Sequence, residues 1–463
     1  FHAALGRQFL FTFLILIILT RELGPADFGR YSMTILAGSV VFAFTFAWLS
    51  AAIPRFHSAQ AFDGRATASI LGAAAVLAMV LVPLVALSFL LPWDTVTLVT
   101  LGAAYAIAHA MHEIGLAGLR VLNAGPQYAA VTLLRHAVSV GLAIHFVRLG
   151  WGFEGAVWGF IIGAALTGGA ALIYTYRRTG MELPGRGMLR ELLVYGKPLA
   201  VVTSISSFFL LASQTLLASY HGLDAVGFFA AAQTLAMRSI RMPMANLNRV
   251  SAAPIFKAYE TDGEAAAKTE LTRHFAFLIL FVLPIATVLI FANNTVAAIV
   301  FADDFTVEVA RNLQMLGIAA FLLGLQGSYF SFAFTLAQRT SLQLVVTVGT
   351  LGLHVLASWV CILAFGPLGA SVGFVVSAVL SLTAYFLVGQ RVYGNLIPMA
   401  EIGKALIGLA VFAPFAIYAD QLESAFTSQT WLDDGGVVFL GAMIAMKQTA
   451  AQLIWTRVLG LRR

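Results

Sequence analysis

The sequence predicts an all-α polytopic membrane protein, because its composition and the length of its apolar runs both indicate this fold class. Of its 463 residues, 60% are hydrophobic and only 10% are charged. A soluble domain carries about 25% charged residues, so this chain has too few polar side chains to cover a surface that faces water. A soluble enzyme is therefore excluded, and a single cysteine, Cys361, excludes a disulfide scaffold.

Apolar runs long enough to cross the hydrocarbon as helices recur along the whole chain. A spanning helix needs about 20 apolar residues, and about fourteen runs meet this requirement. The first is interpreted as an uncleaved anchor, because no small-residue cleavage site precedes Arg21. Since the chain opens at Phe1 and not at methionine, we expect further residues before it. The predicted spans are 3–20, 29–52, 68–91, 96–119, 128–147, 155–176, 198–219, 227–253, 273–292, 311–335, 342–364, 368–389, 403–419 and 436–456.

The charges of the connecting loops predict the orientation of these spans. One set of alternate loops holds seventeen lysines and arginines, and the other set holds four. Cytoplasmic loops of membrane proteins carry the excess of basic residues. The sequence therefore predicts that both termini lie in the cytoplasm.

Two short patterns occur twice and indicate an internal repeat. The loop after the first span, GPADFGRY from Gly24 to Tyr31, resembles GLDAVGFF from Gly222 to Phe229 after the seventh. The sixth and twelfth spans both begin with the pattern GxxGAxxGF, at Gly152 and at Gly366. An even number of spans per repeat gives two halves of the same orientation. We expect two pseudo-symmetric six-helix lobes followed by two extra helices.

Basic residues inside the predicted spans outnumber acidic ones. Of 21 acidic residues, only Glu113 lies within a span. A central charge costs about 2.5–3.5 kcal/mol in lipid, so six would cost on the order of 15–20 kcal/mol unless they face water or a partner. A cationic cavity, which selects anions, is the expected result. The six basic residues that lie more than one residue inside a span are Arg7, Arg135, Arg238, Arg241, Arg249 and Lys447.

The arginines differ in how strongly they suggest a ligand site. Arg238 and Arg241 share a helix face deep in the eighth span, and Pro243 is expected to loosen the helix beside them. Guanidinium groups fit phosphate oxygens well. The alternative for Arg7 and Arg249 is that they snorkel to the inner headgroups. Arg135 lies near the middle of its span. Lys447 suits a lipid or helix contact as well as it suits a ligand.

The fourth span carries three ionisable residues on one helix face: His109, His112 and Glu113. One interpretation is a site for a coupling proton or sodium ion. The other, slightly favoured, is an ion pair between Glu113 and a buried arginine. No third or fourth zinc ligand is evident, so no metal site is predicted. His354, alone on an apolar helix, is interpreted as a hydrogen-bonded packing residue.

Other chemistries lack support in the sequence. There is no GxxxxGK[ST] loop for ATP hydrolysis, and no pattern indicates nucleic-acid binding. Asp303-Asp304 and Asp433-Asp434 lie in short exterior loops and are interpreted as solvated acids. No catalytic residue, cofactor or metal is predicted, apart from the H⁺ or Na⁺ that coupling would use.

One stretch resembles a known family. TRELGPADFGRYSMTILAGSVVFAFTFAWLSAAIPRF, from Thr20 to Phe56, resembles the start of the polysaccharide flippases in the multidrug/oligosaccharidyl-lipid/polysaccharide (MOP) exporter superfamily. ELLVYGKPLA, from Glu191, and VGFFAAAQTLA, from Val226, resemble two later family segments. Within the first stretch, Gly24 and Pro25, together with Asp27 and Gly29, are interpreted as a structural turn between helices.

The resemblance implies a V-shaped carrier that works by alternating access. It would move an undecaprenyl-diphosphate-linked oligosaccharide from the cytoplasmic to the outer leaflet of the bacterial inner membrane. The implied partners are this substrate, the membrane lipids, and polysaccharide polymerase and chain-length machinery. The expected lobes are 1–195 and 196–391, followed by an additional helix pair at 392–463.

Two alternatives remain at this point. A multidrug antiporter of the same superfamily, exporting organic cations, should carry carboxylates inside its lobes, and this chain has one. A membrane-embedded polymerase or ligase acting on lipid-linked sugars should carry a sizeable exterior loop, and none is predicted.

Overall fold

The computed structural model describes residues 15–57, 65–88, 93–394 and 398–423, and in these ranges the chain forms helices and no strands. Residues 15–22 form the described part of α1. The predicted site residue Arg7, the interior Lys447 and the fourteenth predicted span lie outside the described ranges. The following helices are α2 (Pro25–Thr45), α3 (Ala47–His57), α4 (Ala66–Ser88), α5 (Trp93–Val121), α6 (Gly125–Phe146), α7 (Gly152–Thr179), α8 (Arg186–Ala236), α9 (Met242–Asp262), α10 (Glu264–Phe291), α11 (Asn293–Val300), α12 (Asp303–Leu325), α13 (Phe332–Leu336), α14 (Thr340–Phe365), α15 (Gly369–Tyr393) and α16 (Met399–Glu423).

Five helical segments of the described chain are long and apolar enough to cross a membrane, or six if the bent pair α2 and α3 is one span. Two of these segments, Gly125–Thr179 and Thr340–Tyr393, are 55 and 54 residues long and contain sharp glycine turns. The all-α membrane fold is confirmed. The number fourteen stays a prediction.

The seventh span begins earlier than its hydropathy suggests. Its helix starts at Arg186, twelve residues before the predicted start, and Arg190 and Lys197 are exposed helical residues, not loop residues. The extension is amphipathic: Met188 and Leu192 are buried in the core of the first lobe. Burial of that apolar face stabilises a helix that the flanking charges obscure in the sequence.

The two glycine patterns form the same local structure. Gly152 has φ 51° and ψ −139°, and Gly366 has φ 64° and ψ −142°. A positive φ favours glycine, because a Cβ atom would clash with the neighbouring backbone. Each following helix packs on the preceding one through a further glycine: Gly159 lies against Ala143, and Gly373 lies against Ser358. The repeated sequence thus has a repeated geometry.

The start of α2 and the part of α8 after Gly222 cross at very close range. A Cβ atom on Gly29 would overlap the Leu223 carbonyl oxygen, and one on Gly227 would overlap the Pro25 carbonyl oxygen. Leu223 follows Pro25 by 198 residues, and Gly227 follows Gly29 by the same interval. The contact is therefore reciprocal between the two lobes. It lies on the side that the loop charges predict to be exterior.

Aromatic packing continues this interface between the lobes. The Phe305 ring of α12 meets Phe28 of α2 edge-on, with ring centroids 5.9 Å apart. It meets Phe228 in the same way at 5.7 Å. Phe28 and Phe305 are both buried, in a core cluster that also includes Leu19 of α1. The ends of the two lobes on this predicted exterior side are thereby joined by a close-packed aromatic contact.

The helix α16 is attached to the second lobe at the end that the loop charges predict to be exterior. The Asp420 carboxylate accepts hydrogen bonds from the Asn294 side chain at 2.7 Å and from the Thr295 backbone N–H at 3.0 Å. These groups lie at the start of α11, where an anion also complements the helix dipole. Most of the remaining α16 surface is exposed and apolar, as expected for a helix that contacts lipid.

We expect Gly227→Val to destabilise the protein, because its side chain has no space beside the Pro25 backbone. Forcing extra carbon atoms into a close-packed contact costs about 1–3 kcal/mol. The measurement is the thermal unfolding midpoint in detergent. The control is Gly349→Val in α14, where a Cβ atom meets nothing within 4 Å. Equal midpoints for the two variants would contradict the assignment of Gly227 to the interface between the lobes.

Candidate functional site

An ion pair lies between α5 and α6 within the first lobe. Arg135 Nη1 is 3.6 Å from Glu113 Oε1, and Arg135 Nη2 is 3.0 Å from His109 Nδ1. The Arg135 side chain is 14% exposed and that of Glu113 is 31% exposed. The ion-pair interpretation of Glu113 is confirmed by this contact. Arg135 is thus held by a carboxylate and an imidazole together.

The third residue of the predicted cluster faces elsewhere. His112 is buried, and its Nδ1 atom is 3.2 Å from the Thr167 hydroxyl of α7. A backbone contact with Gly168 holds this part of α5 close to α7. His112 therefore packs between helices, whereas His109 and Glu113 belong to the arginine cluster. Across the described ranges, no group of three or more His, Cys, Asp or Glu side chains could hold a metal ion.

Aromatic rings surround the ion pair. The His109 ring stacks on Tyr105, with centroids 5.5 Å apart, and lies 4.4 Å from the Phe42 ring. The Tyr105 hydroxyl also interacts with Arg135. Sequence reasoning missed Tyr105, although its position four residues before His109 places both rings on one face of α5.

Arg238 and Arg241 lie in a π-helical turn, Met237–Arg241, that joins α8 to α9. The Met242 N–H bonds to the Met237 carbonyl oxygen five residues earlier. Pro243 explains the turn, because it has no N–H and its ring crowds the carbonyl four residues before it. The predicted loosening of the helix beside Pro243 is confirmed.

Both arginines of this turn are exposed. No carboxylate among the residues with described coordinates forms an ion pair with either guanidinium. An arginine inside a membrane span is tolerated when it faces water or a ligand. Because both arginines belong to the predicted eighth span, we expect this surface to be hydrated or occupied.

Arg238 faces the first lobe. Its charge acts on the Tyr105 hydroxyl and on the His136 imidazole, which follows Arg135 on α6. The structure thus brings Arg238 of the second lobe towards the cluster around Arg135 in the first. Arg249 lies further along α9, is exposed, and donates a hydrogen bond to the Asn246 side chain at 3.2 Å.

A second π-helical turn, Gln326–Phe330, follows α12, and no sequence signal predicted it. The Ser331 N–H bonds to the Gln326 carbonyl oxygen at 3.0 Å, again five residues earlier. The Ser328 carbonyl accepts a hydrogen bond from the buried His274 at 2.9 Å. Gly324, just before the turn, packs against the Met244 side chain of α9. The two widened turns therefore belong to neighbouring helices.

The remaining predicted residues occupy structural positions. Gly24 precedes α2, and Pro25 begins it. The Asp27 carboxylate lies 3.0 Å from the Arg30 guanidinium and also borders Gly152. His354 connects three helices: its ring nitrogens contact the hydroxyls of Ser213 at 3.1 Å and Ser377 at 2.7 Å. These two contacts confirm its packing role.

A family comparison agrees with this architecture. Residues 18–310, more than half of the chain, match the model of a family described as polysaccharide biosynthesis protein. The chain belongs to this family. A comparison with curated protein sequences finds no match.

Solved structures show the same fold at low sequence identity. The lipid II flippase MurJ in an inward closed conformation aligns with a TM-score of 0.73 and 13% identity, over 99% of each chain. An inward-facing multidrug resistance MATE family transporter of the MOP superfamily aligns with a TM-score of 0.64 and 18% identity, over 84% of this chain and 95% of the other. An outward-facing multidrug resistance MATE family transporter aligns with a TM-score of 0.53 and 17% identity, over 85% of this chain and 94% of the other. This family member therefore has the MOP-superfamily fold, and the resemblance seen in the sequence is confirmed.

We expect Glu113→Gln to lower stability by about 1–3 kcal/mol, because it leaves the partly buried Arg135 charge without its carboxylate. Adding Arg135→Gln should recover most of the loss, since no unpaired charge then remains. The measurement is the thermal unfolding midpoint of both single variants and the double variant. Additive losses would show that the two side chains do not stabilise each other.

Proposed function

We propose that this protein is a flippase for an oligosaccharide linked to a polyprenyl diphosphate, acting in the bacterial inner membrane with both termini in the cytoplasm. The proposal assigns translocation to the outer leaflet and no catalytic step. It retains the lobes at 1–195 and 196–391 and the helix pair at 392–463. The family match and the fold support a lipid-linked substrate.

One observation carries the proposal: Arg238 and Arg241 are exposed within the predicted eighth span and form no ion pair with a carboxylate of the described residues. Guanidinium groups donate paired hydrogen bonds that match phosphate oxygens. A diphosphate would supply the negative charge that balances Arg238 and Arg241, which the described helices around them do not supply. Arg135 would join them from the first lobe, and Arg249 and Arg7 would extend the cationic path towards the cytoplasm.

The closed exterior contact favours entry of the substrate from the cytoplasmic side. Gly29 and Gly227 bring the lobes together where the loops carry few basic residues. Outward delivery then requires this contact to separate while the opposite side closes. Such rocking of two halves about a fixed site is how repeat-built transporters work.

A multidrug antiporter has the same fold and is the alternative. An organic cation would need carboxylates to balance its charge. Here Glu113 is already held by Arg135, and the Arg238 turn repels cations. A polymerase or ligase would need a sizeable exterior loop that carries catalytic residues, and the sequence predicts no such loop.

Arg238→Ala and Arg241→Ala should each reduce polymer export at least tenfold while expression stays normal. Losing a charge-assisted hydrogen bond costs about 1.5–3 kcal/mol, which corresponds to roughly 10- to 100-fold. The measurement is surface polysaccharide in a strain that lacks the native gene. The control is Arg311→Ala on α12, an exposed arginine already paired with Glu308 at 2.9 Å. Full export by either test variant would exclude the phosphate-binding role.

Glu113 and His109 are the proposed coupling groups for H⁺ or Na⁺. A proton or a sodium ion on Glu113 would weaken its hold on Arg135 and free the guanidinium for phosphate. Glu113→Gln should therefore transport substrate in proteoliposomes at a rate that no longer depends on the ion gradient. His112→Ala, whose ring contacts Thr167 of α7 at 3.2 Å, should keep that dependence. Unchanged gradient dependence in Glu113→Gln would remove Glu113 from the coupling step.

A further inference from the structure

An apolar cavity of about 300 Å³ lies in the first lobe, apart from the arginine site. Three helices line it: α4 with residues between 71 and 78, α5 with residues between 107 and 114, and α7 with Leu172, Ile173 and Tyr176. The lining side chains are aliphatic, aromatic or methionine, with Phe46 and Met181 completing the wall. Such a cavity binds a hydrocarbon ligand and offers little to a polar one.

The cavity and the candidate site lie on opposite faces of α5. Ile107, Met111 and Ile114 line the cavity and share one face, because they are spaced at four and seven residues. His109 and Glu113 project from the other face, towards Arg135. A ligand in the cavity therefore contacts the face of α5 opposite to the one that carries the ion pair. It does not enter the space between the lobes.

The cavity lies at the predicted cytoplasmic end of the lobe. It is covered there by the segment between α7 and α8, in which Met181 lines the cavity. The Glu182 N–H donates a hydrogen bond to the Ala68 carbonyl at 3.1 Å, and the Glu182 backbone rests on Gly72. Ile173 and Tyr176 are exposed, so the cavity opens sideways between α4 and α7. We expect this opening to face the bilayer.

A positive charge stands at the opening. Arg177 follows Ile173 by four residues, so it shares the cavity-lining face of α7 one turn nearer the cytoplasm. Arg177 is exposed, and no ion pair joins it to a described carboxylate. Arg178 points to a different face, over the Tyr174 ring at 5.4 Å. The exposed Glu182 is the acid nearest in sequence.

We propose that this cavity holds one acyl chain of an anionic phospholipid of the cytoplasmic leaflet, with Arg177 binding the headgroup phosphate. An apolar cavity of about 150 Å³ accommodates a six-carbon ring, so about 300 Å³ accommodates roughly a dozen carbons of a chain. The lateral opening admits the chain from the bilayer. The charge of Arg177 favours an anionic headgroup over a zwitterionic one.

The test uses the full-length protein in phosphatidylcholine vesicles that contain a small fraction of phosphatidylglycerol with a photoreactive diazirine near the middle of an acyl chain. After illumination, mass spectrometry should find the cross-link in peptides that contain residues 71–78, 107–114 or 172–181. Cross-links spread evenly over the lipid-facing helices would overturn the proposal.

Two variants with matched controls sharpen the result. Ala75→Phe fills the cavity and should abolish the localised cross-link, whereas Val76→Phe on the adjacent lipid-facing surface should keep it. Arg177→Gln should lower phosphatidylglycerol cross-linking about fivefold, the value of one basic residue near an anionic membrane, and Arg178→Gln should leave it unchanged. Arg177 is exposed, so its variant tests the proposal even if Ala75→Phe does not fold.

A competition experiment separates the phospholipid from the transported substrate. Unlabelled phosphatidylglycerol should displace the probe, and undecaprenyl phosphate at the same concentration should not. Displacement by the polyprenyl lipid alone would assign the cavity to the substrate tail and overturn the proposal. Neither result depends on whether Arg238 and Arg241 bind a diphosphate.

Discussion

An arginine side chain cannot remain charged against hydrocarbon at acceptable cost, and this constraint organises the interior of the protein. The two lobes satisfy this constraint in different ways. The first lobe surrounds Arg135 with Glu113, His109 and the Tyr105 hydroxyl. The second leaves Arg238 and Arg241 exposed on a widened helical turn. Protein groups thus balance the arginine charge in the first lobe, whereas in the second lobe the proposed anionic ligand would balance it.

Much of the fold was predictable, because the physical causes act locally along the chain. Apolar runs must become helices in a bilayer, where backbone groups have no water to bond. The pattern GxxGAxxGF predicted equivalent helix starts, and Gly152 and Gly366 have almost the same backbone angles. The helical start at Arg186 was not predictable from hydropathy. Its burial depends on partners such as Phe56 and Trp48, which lie far away in the sequence.

The site was predictable in its charges but not in its geometry. Counting acids and bases identified Glu113 and predicted a buried arginine as its partner, which the structure shows to be Arg135, and Pro243 marked one widened turn. The second widened turn, Gln326–Phe330, contains no proline, and its Ser328 carbonyl bonds to the distant His274. The different directions of His109 and His112 likewise depend on Thr167 and Arg135. Such tertiary contacts leave no local pattern.

In the proposed transport cycle, the reciprocal packing of Gly29 and Gly227 has a consequence for how the predicted exterior end opens. The two contacts are related by the pseudo-symmetry of the lobes, so tilting one lobe away from the other stretches both at the same moment. Neither of the two glycine contacts can separate before the other and leave a narrow gap. The packing of α2 against α8 on that side should consequently open in one cooperative step, so that it is either fully closed or fully open. A passenger with a bulky hydrophilic head could then cross without an intermediate state through which small ions leak.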